Sequence, residues 1–287
     1  MNSKSQDGLR PQFAAIVLTW NEERDLPACL ESIRGVASEI YVVDSGSTDA
    51  TRNIAYEAGA TVLSHPFTTH AEQFNWALDS IQTNAEWIIR IDADERFTPE
   101  LANRLPRLAS TLPKEVAGIV LSRRILFMGK NIRFGDTYPV WILRVWRNGA
   151  GRSTERSMDE YIELLHGRSV RCKGDLLHSI PKNLTDWVTK HNDYASRECV
   201  DILGEIANNS VDGNSSALRK AIKQSFYLRL PPFFRALAYW FYRYFLKLGF
   251  LDGRAGLIYH FIQGLWYRFL VDAKLYEQIA ISSRRRS

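Results

Sequence analysis

The chain has 287 residues, of which 45% are hydrophobic and 24% are charged. This length and composition exclude a disordered chain and a small disulfide-stabilised domain, and they predict one large domain or a domain with an appendage. The net charge is +5, yet residues 219–274 alone contain ten Lys and Arg residues against only Asp252 and Asp272. The chain before residue 219 is therefore acidic on balance, and the basic character belongs to a C-terminal segment.

The cysteines and the N-terminus bear on where the protein works. Cys29, Cys172 and Cys199 are isolated, odd in number and without the spacing of zinc ligands, which favours a reducing compartment over a disulfide framework. Residues 1–12 are polar and lack the apolar core of a signal peptide. No uncharged apolar run reaches the roughly 18 residues that a membrane-spanning helix needs. We therefore expect a cytoplasmic protein.

Strands and helices alternate through the first hundred residues. The predicted strands are 13–19, 39–43, 61–63 and 87–91, and the predicted helices are 26–33, 50–59 and 71–81. The first strand is apolar throughout, as is typical of a parallel strand that is buried on both faces. This alternation predicts an α/β fold with an open, mainly parallel sheet sandwiched by helices.

The apolar strand at 87–91 ends at two carboxylates one residue apart, Asp92 and Asp94. The end of such a strand faces the crevice beyond the carboxyl edge of the sheet, where α/β proteins bind ligands. Two carboxylates at this spacing repel each other unless a cation lies near them, and hard oxygen ligands suit Mg²⁺ or Mn²⁺, which in turn hold phosphates. The pattern predicts a metal–diphosphate site. The alternative is that Asp94 caps the helix that contains residues 98–101.

A second strand also ends at a carboxylate. Asp44 directly follows strand 39–43, and a carboxylate there can accept a hydrogen bond from a base N–H or a ribose hydroxyl. The turn that follows opens a helix, so the alternative is ordinary capping by Ser47 or Asp49. The residues alone leave both interpretations open.

Three motifs at strand ends together resemble the inverting glycosyltransferases of family 2, which have the GT-A fold. They are Leu-Thr-Trp-Asn-Glu at 18–22, Val-Asp-Ser-Gly-Ser-Thr-Asp-Ala-Thr at 43–51 and Asp-Ala-Asp-Glu at 92–95. The resemblance rests on the order and spacing of all three motifs. It implies a Rossmann-like GT-A fold, a nucleotide-sugar donor that we expect to be a UDP-sugar, and a divalent metal, Mg²⁺ or Mn²⁺.

The resemblance also implies roles for the matching residues. Asp44 would face the base and Asp94 would be the nearer metal ligand, while residues 71–78 resemble the family's helix that brings polar side chains to the donor. The expected nucleotide-sugar-binding residues are Thr19, Asn21, Glu22, Asp44, Ser47, Gln73, Asn75 and Asp92. The expected metal ligands are Asp92, Asp94 and His178.

The middle of the chain is expected to supply the acceptor side. Strands are predicted at 119–124 and 142–146, with a loop at 129–139 between them, and a polar amphipathic helix is predicted at 183–207. An inverting transfer needs one carboxylate near the acceptor hydroxyl as general base, and Asp159 and Glu160 are adjacent carboxylates in an apolar frame.

The choice between these two carboxylates comes from a further resemblance. In lipopolysaccharide-core and exopolysaccharide members of the family, a Glu is followed by Gly-x-Leu-x-His, and Glu160 with residues 174–178 matches this pattern. Glu160 is therefore the expected base and Asp159 the runner-up; a surface acidic pair facing Arg156 is the alternative. In GT-A enzymes a histidine after the catalytic acid often completes the metal shell, which implies His178. The alternative is a partly buried histidine without a metal.

The C-terminal segment is basic and aromatic. Residues 226–276 hold half of the aromatic residues of the chain, interleaved with Arg and Lys. On the helix expected after the Pro-Pro pair, Arg235, Arg243 and Lys247 share one side and leave a wide apolar side opposite. Such a helix could lie at the surface of an anionic membrane with its cations on phosphates. A helical cap on the catalytic domain is the alternative. We expect no nucleic-acid partner, because these aromatic residues follow helical periodicity.

These interpretations predict a domain organisation and a function. The expected catalytic domain is 13–207, with its nucleotide-sugar part at 13–100 and its acceptor part at 101–207. A disordered N-terminus is expected before it, at 1–12. After it we expect a linker at 208–218, a membrane-associating helical extension at 219–280 and a basic tail at 281–287. The expected function is metal-dependent inverting transfer of a sugar to a lipid-linked saccharide, in lipopolysaccharide or cell-surface polysaccharide synthesis, on the inner face of the plasma membrane.

Two alternatives to this function stay open. A sugar nucleotidyltransferase would need a Gly-rich, basic loop after the first strand, where residues 21–23 are Asn-Glu-Glu. The other alternative is a non-catalytic membrane scaffold with a vestigial nucleotide site.

Overall fold

The structure, a computed structural model, describes residues 12–154, 161–180, 183–208 and 231–284. The chain divides into two compact units, Met1–Ile125 with Pro139–Ser179 and Leu126–Tyr138 with Ile180–Ser287. This division differs from the predicted one, in which residues 13–207 form a single catalytic domain. The difference arises because the helix that begins at Leu184 packs against helices of the C-terminal segment.

The first unit contains helices that alternate with strands in its N-terminal half. The helices are α1 (Leu26–Ile33), α2 (Thr51–Glu57), α3 (His70–Ser80) and α4 (Pro99–Ala109). The strands of the chain are β1 (Phe13–Thr19), β2 (Glu39–Asp44), β3 (Thr61–Ser64), β4 (Trp87–Asp92), β5 (Glu95–Phe97), β6 (Val116–Phe127), β7 (Lys130–Ile132), β8 (Val140–Arg147), β9 (Gly151–Ser153), β10 (Ile162–Leu164) and β11 (Arg168–Ser179). Of these, β7 and the last two residues of β6 belong to the second unit. All elements predicted before residue 92 are confirmed. The prediction of a loop at 129–139 is wrong in part, because β7 lies within it and pairs with β6.

One large sheet has the strand order β3-β2-β1-β4-β8-β6-β11-β5, and β9 pairs with β10 in a separate two-stranded sheet. Strands β3, β2, β1 and β4 are parallel to one another. Strand β8 is antiparallel to both β4 and β6, and β11 is antiparallel to β5. The α/β class is confirmed, and an antiparallel region extends the parallel one beyond β4.

The core explains why β1 is apolar at every position. Its odd residues, such as Phe13 and Ala15, join a cluster with the buried side chains of α1 and α4. Its even residues, such as Ala14 and Ile16, join a second cluster with Phe74 of α3. Helices therefore cover both faces of the parallel sheet, as predicted.

Helix α4 resolves one alternative from the sequence. Its N-cap is Thr98, whose side-chain oxygen accepts the backbone N–H of Leu101 at 3.3 Å. The alternative that Asp94 caps this helix is therefore wrong, and the Asp94 carboxylate is not used as a helix cap.

The second unit is mainly helical. Its described helices are α5 (Leu184–Asn208), α6 (Phe234–Phe241), α7 (Gly253–His260) and α8 (Tyr267–Arg284), with π-helical turns at Tyr242–Leu246 and Phe261–Trp266 and a 3₁₀ turn at Gly249–Asp252. Helices α5 and α8 pack through a cluster that includes Ala195, Cys199, Tyr267 and Val271. The part of the chain that the structure describes contains no helix long and apolar enough to cross a membrane.

The orientation of two cations on α6 and the turn after it corrects the sequence interpretation. We expected Arg235 and Arg243 to project towards lipid phosphates, but only 5% and 8% of their surfaces are exposed. Arg235 Nε donates to Asp272 Oδ1 at 2.8 Å, and Arg243 Nε donates to the Gly135 carbonyl at 2.7 Å. Both guanidinium groups thus bind partners within the second unit.

Candidate active site

The carboxyl ends of three parallel strands form one edge of the first unit. The register pairs Thr19 of β1 with Asp44 of β2, and Leu18 of β1 with Asp92 of β4. Asp44 and Asp92 therefore end strands that lie on either side of β1, about 10 Å apart across the sheet. The three sequence motifs meet at this edge.

Asp44 is only 1% exposed and stabilises its own turn. Its Oδ2 accepts the backbone N–H groups of Gly46 at 3.1 Å and Ser47 at 3.0 Å. Its Oδ1 accepts the hydroxyls of Thr19 and Ser47. Most of its acceptor capacity is thus used inside the protein, and a contact between Asp44 and a nucleoside stays a prediction.

The loop after β1 is joined to the loop after β2 by hydrogen bonds. The backbone N–H of Asn21 donates to Ser47 Oγ at 2.8 Å, and Asn21 Oδ1 accepts the N–H of Thr48 at 2.8 Å. The N–H of Glu22 donates to Thr51 Oγ1 at 2.7 Å. Asn21 adopts a φ of 55°, a left-handed conformation that Asn tolerates better than most residues. The two loops therefore hold each other in place.

The exposure of Trp20 was not used in the sequence interpretation, whereas Asp49 was considered there as a helix cap. Trp20 is 65% exposed although it is a large aromatic residue beside the joined loops. Asp49 accepts the N–H of Thr51 at 3.0 Å but precedes Ala50, which is the N-cap of α2 and makes no side-chain cap, while Ser47 donates to Asp44.

The polar residues predicted on α3 make contacts within the first unit. Gln73 is 1% exposed, and its Nε2 donates to Ser45 Oγ at 2.6 Å, which supports the turn that Asp44 stabilises. Asn75 binds the backbone of Ser153 with both polar atoms, at 2.9 and 3.0 Å. Gln73 therefore holds the β2 loop and Asn75 holds β9. Donor contacts by these two residues remain predictions.

Asp92 is held by an arginine that the sequence interpretation missed. One terminal nitrogen of Arg144, on β8, donates to Asp92 Oδ2 and to Glu95 Oε1, at 2.8 Å in both cases. Arg90 Nε lies 3.8 Å from the other Asp92 oxygen. Glu95 Oε2 also accepts the backbone N–H of Asp92 at 3.1 Å. The Asp-x-Asp turn is thus fixed from two sides.

This arrangement sets the charges of the cluster. Burial alone would raise the pKa of Asp92, but Arg144 and Arg90 outweigh it and hold that pKa well below its ordinary value. Burial raises the pKa of Glu95, although Arg144 opposes the change. Burial would lower the pKa of Arg144, but Asp92 and Glu95 outweigh it and raise that pKa. Asp92 and Arg144 are therefore both charged at neutral pH.

Asp94 lies beside His178 because of strand pairing. Antiparallel pairing of β5 with β11 places His178 opposite Glu95, and the N–H of Ser179 donates to the Asp94 carbonyl at 2.9 Å. His178 Nδ1 is 3.5 Å from Asp94 Oδ1, and each side chain is 25% exposed. Burial would lower the pKa of His178, but Asp94 outweighs it and raises that pKa.

The Gly-x-Leu-x-His motif divides into structural and site-facing positions. Gly174 has a φ of 103°, and a Cβ there would lie 2.6 Å from the backbone nitrogen of Leu101 in α4. Leu176 is fully buried in the core. The glycine and the leucine thus let β11 pass close to α4, and His178 is the residue left for chemistry.

The predicted metal ligands do not form one set of three. Within the described residues, no three His, Cys, Asp or Glu side chains are grouped so as to hold a metal ion. Arg144 contacts only Oδ2 of Asp92, so a metal contact by Asp92 stays a prediction. Asp94 and His178 remain as one oxygen and one nitrogen donor, partly open to solvent. Such a pair suits Mn²⁺ better than Mg²⁺, because imidazole is a less natural ligand of Mg²⁺, and substrate phosphates would supply other ligands.

The predicted base, Glu160, and its runner-up, Asp159, lie outside the described residues. The residues that flank this segment are hydrogen-bonded to each other, since the N–H of Thr154 donates to the Tyr161 carbonyl at 3.0 Å. Ser153, in the adjoining strand β9, accepts a hydrogen bond from Arg90 at 3.3 Å. Because Arg90 also approaches Asp92, strand β9 is linked to the cluster at the end of β4.

Comparisons with known proteins found the following similar chains. The lipopolysaccharide core biosynthesis glycosyltransferase LpsC of Rhizobium meliloti (strain 1021) is 29% identical over 95% of this chain and 94% of that protein. An uncharacterized glycosyltransferase of Rickettsia bellii (strain RML369-C) is 36% identical over 46% of this chain and 42% of its own length. Glucosyl-3-phosphoglycerate synthase from Mycobacterium tuberculosis, crystallised with Mn²⁺, uridine diphosphate and glucosyl-3-phosphoglycerate, is 23% identical, with a TM-score of 0.34, over 40% of this chain and 44% of that chain.

The family model described as "Glycosyl transferase family 2" matches residues 14–165, which is more than half of the chain. The match includes all three strand-end motifs and the segment with Asp159 and Glu160. The chain therefore belongs to glycosyltransferase family 2.

Proposed function

We propose that this glycosyltransferase moves a sugar, with inversion, from a UDP-sugar to a saccharide acceptor in lipopolysaccharide or cell-surface polysaccharide synthesis. The observation that carries the proposal is the pairing of Asp94 with His178, 3.5 Å apart, at the end of β4, beside the ends of β1 and β2. The likeness to LpsC over nearly the whole of both chains supports the polysaccharide role.

Asp94 and His178 are the proposed ligands of the divalent metal, Mg²⁺ or Mn²⁺. When bound, the ion would supply positive charge to the departing diphosphate. Arg144 and Glu95 would act as positioning residues, because they hold the Asp-x-Asp turn that carries Asp94. Asp92, held by Arg144, would contribute to donor binding through its exposed part, which is 36% of the side chain.

The joined loops after β1 and β2 are the proposed nucleoside side of the site. Thr19, Glu22 and Asp44 would line it as the family resemblance implies, and the hydrogen bonds of Asn21 and Ser47 keep the loops together. Trp20, exposed on the same loop, offers an aromatic face to a base or sugar ring.

Glu160 is the proposed general base, with Asp159 as the runner-up. The acceptor hydroxyl gives its proton to Glu160 while its oxygen bonds to the anomeric carbon. The bond from that carbon to the diphosphate oxygen breaks on the opposite side and leaves its electron pair on the diphosphate. The link from Ser153 through Arg90 to Asp92 supports this role, since it ties the strand that precedes residues 155–160 to the cluster.

The acceptor is proposed to be lipid-linked, and the protein to lie peripherally on the inner face of the plasma membrane. The exposed apolar side chains of the second unit support this part of the proposal.

A donor and acceptor assay tests the proposed function. Hydrolysis of a panel of nucleotide sugars should identify one accepted donor, and Glu160→Gln should keep donor binding but lose transfer. Glu57→Gln, at an exposed position of α2, is the matched control and should keep full transfer. Equal transfer by wild type and Glu160→Gln would remove Glu160 from the mechanism. Absence of both hydrolysis and UDP binding would instead favour the scaffold alternative.

A further inference from the structure

Helix α6 and the turn after it have the reverse of the usual amphipathic arrangement. Five apolar residues at helical spacing form what we call the outer stripe, and each is 43–58% exposed: Phe234, Leu237, Phe241, Phe245 and Leu248. The opposite side carries Arg235 and Arg243, which are buried. A helix at a water-exposed surface normally buries its apolar side and exposes its charges.

The buried side is satisfied by specific partners, so the orientation of the helix is fixed. Arg235 pairs with Asp272 of α8, and the same carboxylate accepts the backbone N–H of Phe233 at 2.7 Å. Arg243 donates to the Gly135 carbonyl and, at 2.9 Å, to Thr137 Oγ1. Turning the helix over would leave Asp272, which is 2% exposed, buried without its counter-charge, which is costly. The outer stripe therefore faces outwards in the folded second unit.

The apolar surface continues beyond the stripe. Leu246, Phe250 and Leu251, in the turns that follow, are 43–65% exposed. The β6–β7 hairpin adds Met128 and Phe134, which are 56% and 37% exposed. Hydrogen bonds join the two segments, because Asp252 accepts the N–H of Phe134 at 3.0 Å and the Lys247 carbonyl accepts the N–H of Gly135 at 2.8 Å. A continuous exposed apolar patch of this kind marks an interaction surface.

The charges beside this patch indicate what covers it. Four cationic residues on the same segments are exposed: Lys130, Arg133, Lys247 and Arg254. Of the nearby acids, Asp252 is turned inwards to the hairpin N–H groups, and Asp136 lies 4.0 Å from Lys247. An apolar patch with cations beside it complements an anionic lipid surface. A symmetric contact between two copies would bring these like charges together.

We propose that the outer stripe and the adjoining turns insert into the interfacial region of an anionic lipid bilayer. Aromatic and aliphatic side chains enter the bilayer, and the exposed lysines and arginines contact the headgroups. The buried Arg235 and Arg243 keep the helix oriented so that the outer stripe faces the lipid. The biological purpose of this insertion, access to a lipid-linked acceptor, rests on the proposed function. The structural evidence for the insertion does not depend on that function.

Flotation with vesicles tests the surface. The full chain should float with phosphatidylcholine vesicles that contain phosphatidylglycerol. Phe241→Ser/Phe245→Ser/Leu248→Ser should lower the partition coefficient on the order of tenfold or more, because three apolar insertions are lost. Tyr56→Ser/Val200→Ser, which changes residues that are 55% and 68% exposed elsewhere, is the control and should float like wild type. Flotation of the triple variant at the wild-type level would overturn the proposal.

A fluorescent label gives a second readout that does not depend on loss of binding. Because Cys29, Cys172 and Cys199 are buried, an introduced surface cysteine can be labelled selectively. An environment-sensitive fluorophore on Leu246→Cys should shift to shorter wavelength with vesicles, whereas the same label on Tyr56→Cys should not shift. No shift at Leu246 would contradict insertion. A dimer that the triple variant dissociates, without any vesicle binding, would assign the patch to a second copy and overturn the proposal.

Nucleotide binding separates this inference from the proposed function. UDP binding with Mn²⁺, measured without vesicles, should be the same in wild type and the triple variant. Intact UDP binding without flotation would reject membrane attachment and leave the proposed sugar transfer standing. Flotation without UDP binding would reject the proposed function alone.

Discussion

Each unit of the molecule buries an arginine against a carboxylate, and the two sites differ in how much of their side-chain surface is exposed. We call Arg235 with Asp272 the closed pair, and Arg144 with Asp92 and Glu95 the open pair. In the second unit, Arg235 and Asp272 have side chains that are 6% and 1% exposed. In the first unit, Arg144 is 11% exposed, and it is shared between Glu95, which is 1% exposed, and Asp92, which is 36% exposed. The closed pair can only hold helices together. The open pair stabilises a turn and leaves part of the Asp92 carboxylate exposed at the carboxyl edge of the sheet, where α/β proteins generally bind ligands.

The largest effect is expected when the open pair is broken. Arg144→Met leaves Asp92 and Glu95 without their shared partner, so it should lower the free energy of unfolding by about 3–5 kcal/mol and kcat/KM on the order of a hundredfold. Arg144→Lys, which keeps the charge, should recover part of both. Denaturant unfolding and a donor turnover assay measure these quantities.

A metal readout distinguishes positioning from simple stabilisation at Arg144. Without nucleotide, Mn²⁺ binding by Arg144→Met should be tighter than by wild type, because Asp92 becomes available beside Asp94. Arg152→Met is the control: its pair with Asp79 is largely exposed, so it should cost about 1 kcal/mol or less. Unchanged Mn²⁺ affinity together with unchanged kcat/KM in Arg144→Met would refute the positioning role.

Breaking the closed pair should affect stability alone. Asp272→Asn leaves Arg235 buried without its counter-charge, so the second unit should lose about 3 kcal/mol of stability. Hydrolysis of the donor, measured well below the melting temperature, should stay at the wild-type rate. A fall in donor hydrolysis with no loss of stability would show that the closed pair belongs to the site after all.

Acid should weaken the second unit through His260, which lies beneath its turns. This side chain is fully buried, 3.7 Å from Asp252, and burial together with Arg243 lowers its pKa to about 4. The unfolded chain, with an ordinary pKa near 6.5, binds a proton first as the pH falls, so stability is complete above that value and declines below it. From pH 6.5 to 5 the decline from this group should be about 2 kcal/mol.

Comparison with a variant isolates this contribution from other titrating groups. His260→Gln should show a flatter dependence of unfolding free energy on pH over that interval, as followed by urea unfolding at a series of pH values. Parallel curves for the two proteins would mean that His260 does not titrate in this way.

The smallest effect concerns the helix that follows the Asp-x-Asp turn. Thr98→Ala removes the N-cap of α4 and should cost about 1 kcal/mol. Asp94→Asn should leave thermal stability almost unchanged, since Asp94 is not the cap. The reverse order of the two melting temperatures would restore the capping role to Asp94.

Much of the fold of the first unit could be predicted, because its pattern of apolar strands alternating with helices is compatible with one arrangement, a parallel sheet covered by helices. An apolar run such as β1 must be buried on both faces, and parallel strands such as β1, β2 and β4 must end at one edge. These rules bring Asp44 and Asp92 to that edge without knowledge of long-range contacts. His178 was identified in another way, through the resemblance of residues 174–178 to the Gly-x-Leu-x-His motif of the family.

Arg144 could not be assigned in this way. It lies 52 residues from Asp92 along the chain, and only the pairing of β8 with β4 brings them together. The available signal was a lone charge in the middle of an apolar strand, which normally needs a buried partner.

The second unit shows a different limit. Helical spacing on α6 correctly separated Arg235 and Arg243 from the apolar residues, but the spacing does not state which side faces outwards. The hydrogen bonds of Arg235 with Asp272 and of Arg243 with Gly135, both distant in sequence, determine which side of the helix is buried. Periodicity identifies the residues that share a face, whereas the partners of that face decide whether it is buried.

Calorimetric titration of UDP, with and without Mn²⁺, tests the central claim that Asp94 and His178 hold a metal beside a nucleotide. Wild type and Glu57→Gln should bind UDP at least about tenfold more tightly with Mn²⁺. Asp94→Asn and His178→Gln should lose this difference while keeping their fold. Equal UDP affinity with and without Mn²⁺ in wild type, or an unchanged Mn²⁺ effect in both variants, would contradict it.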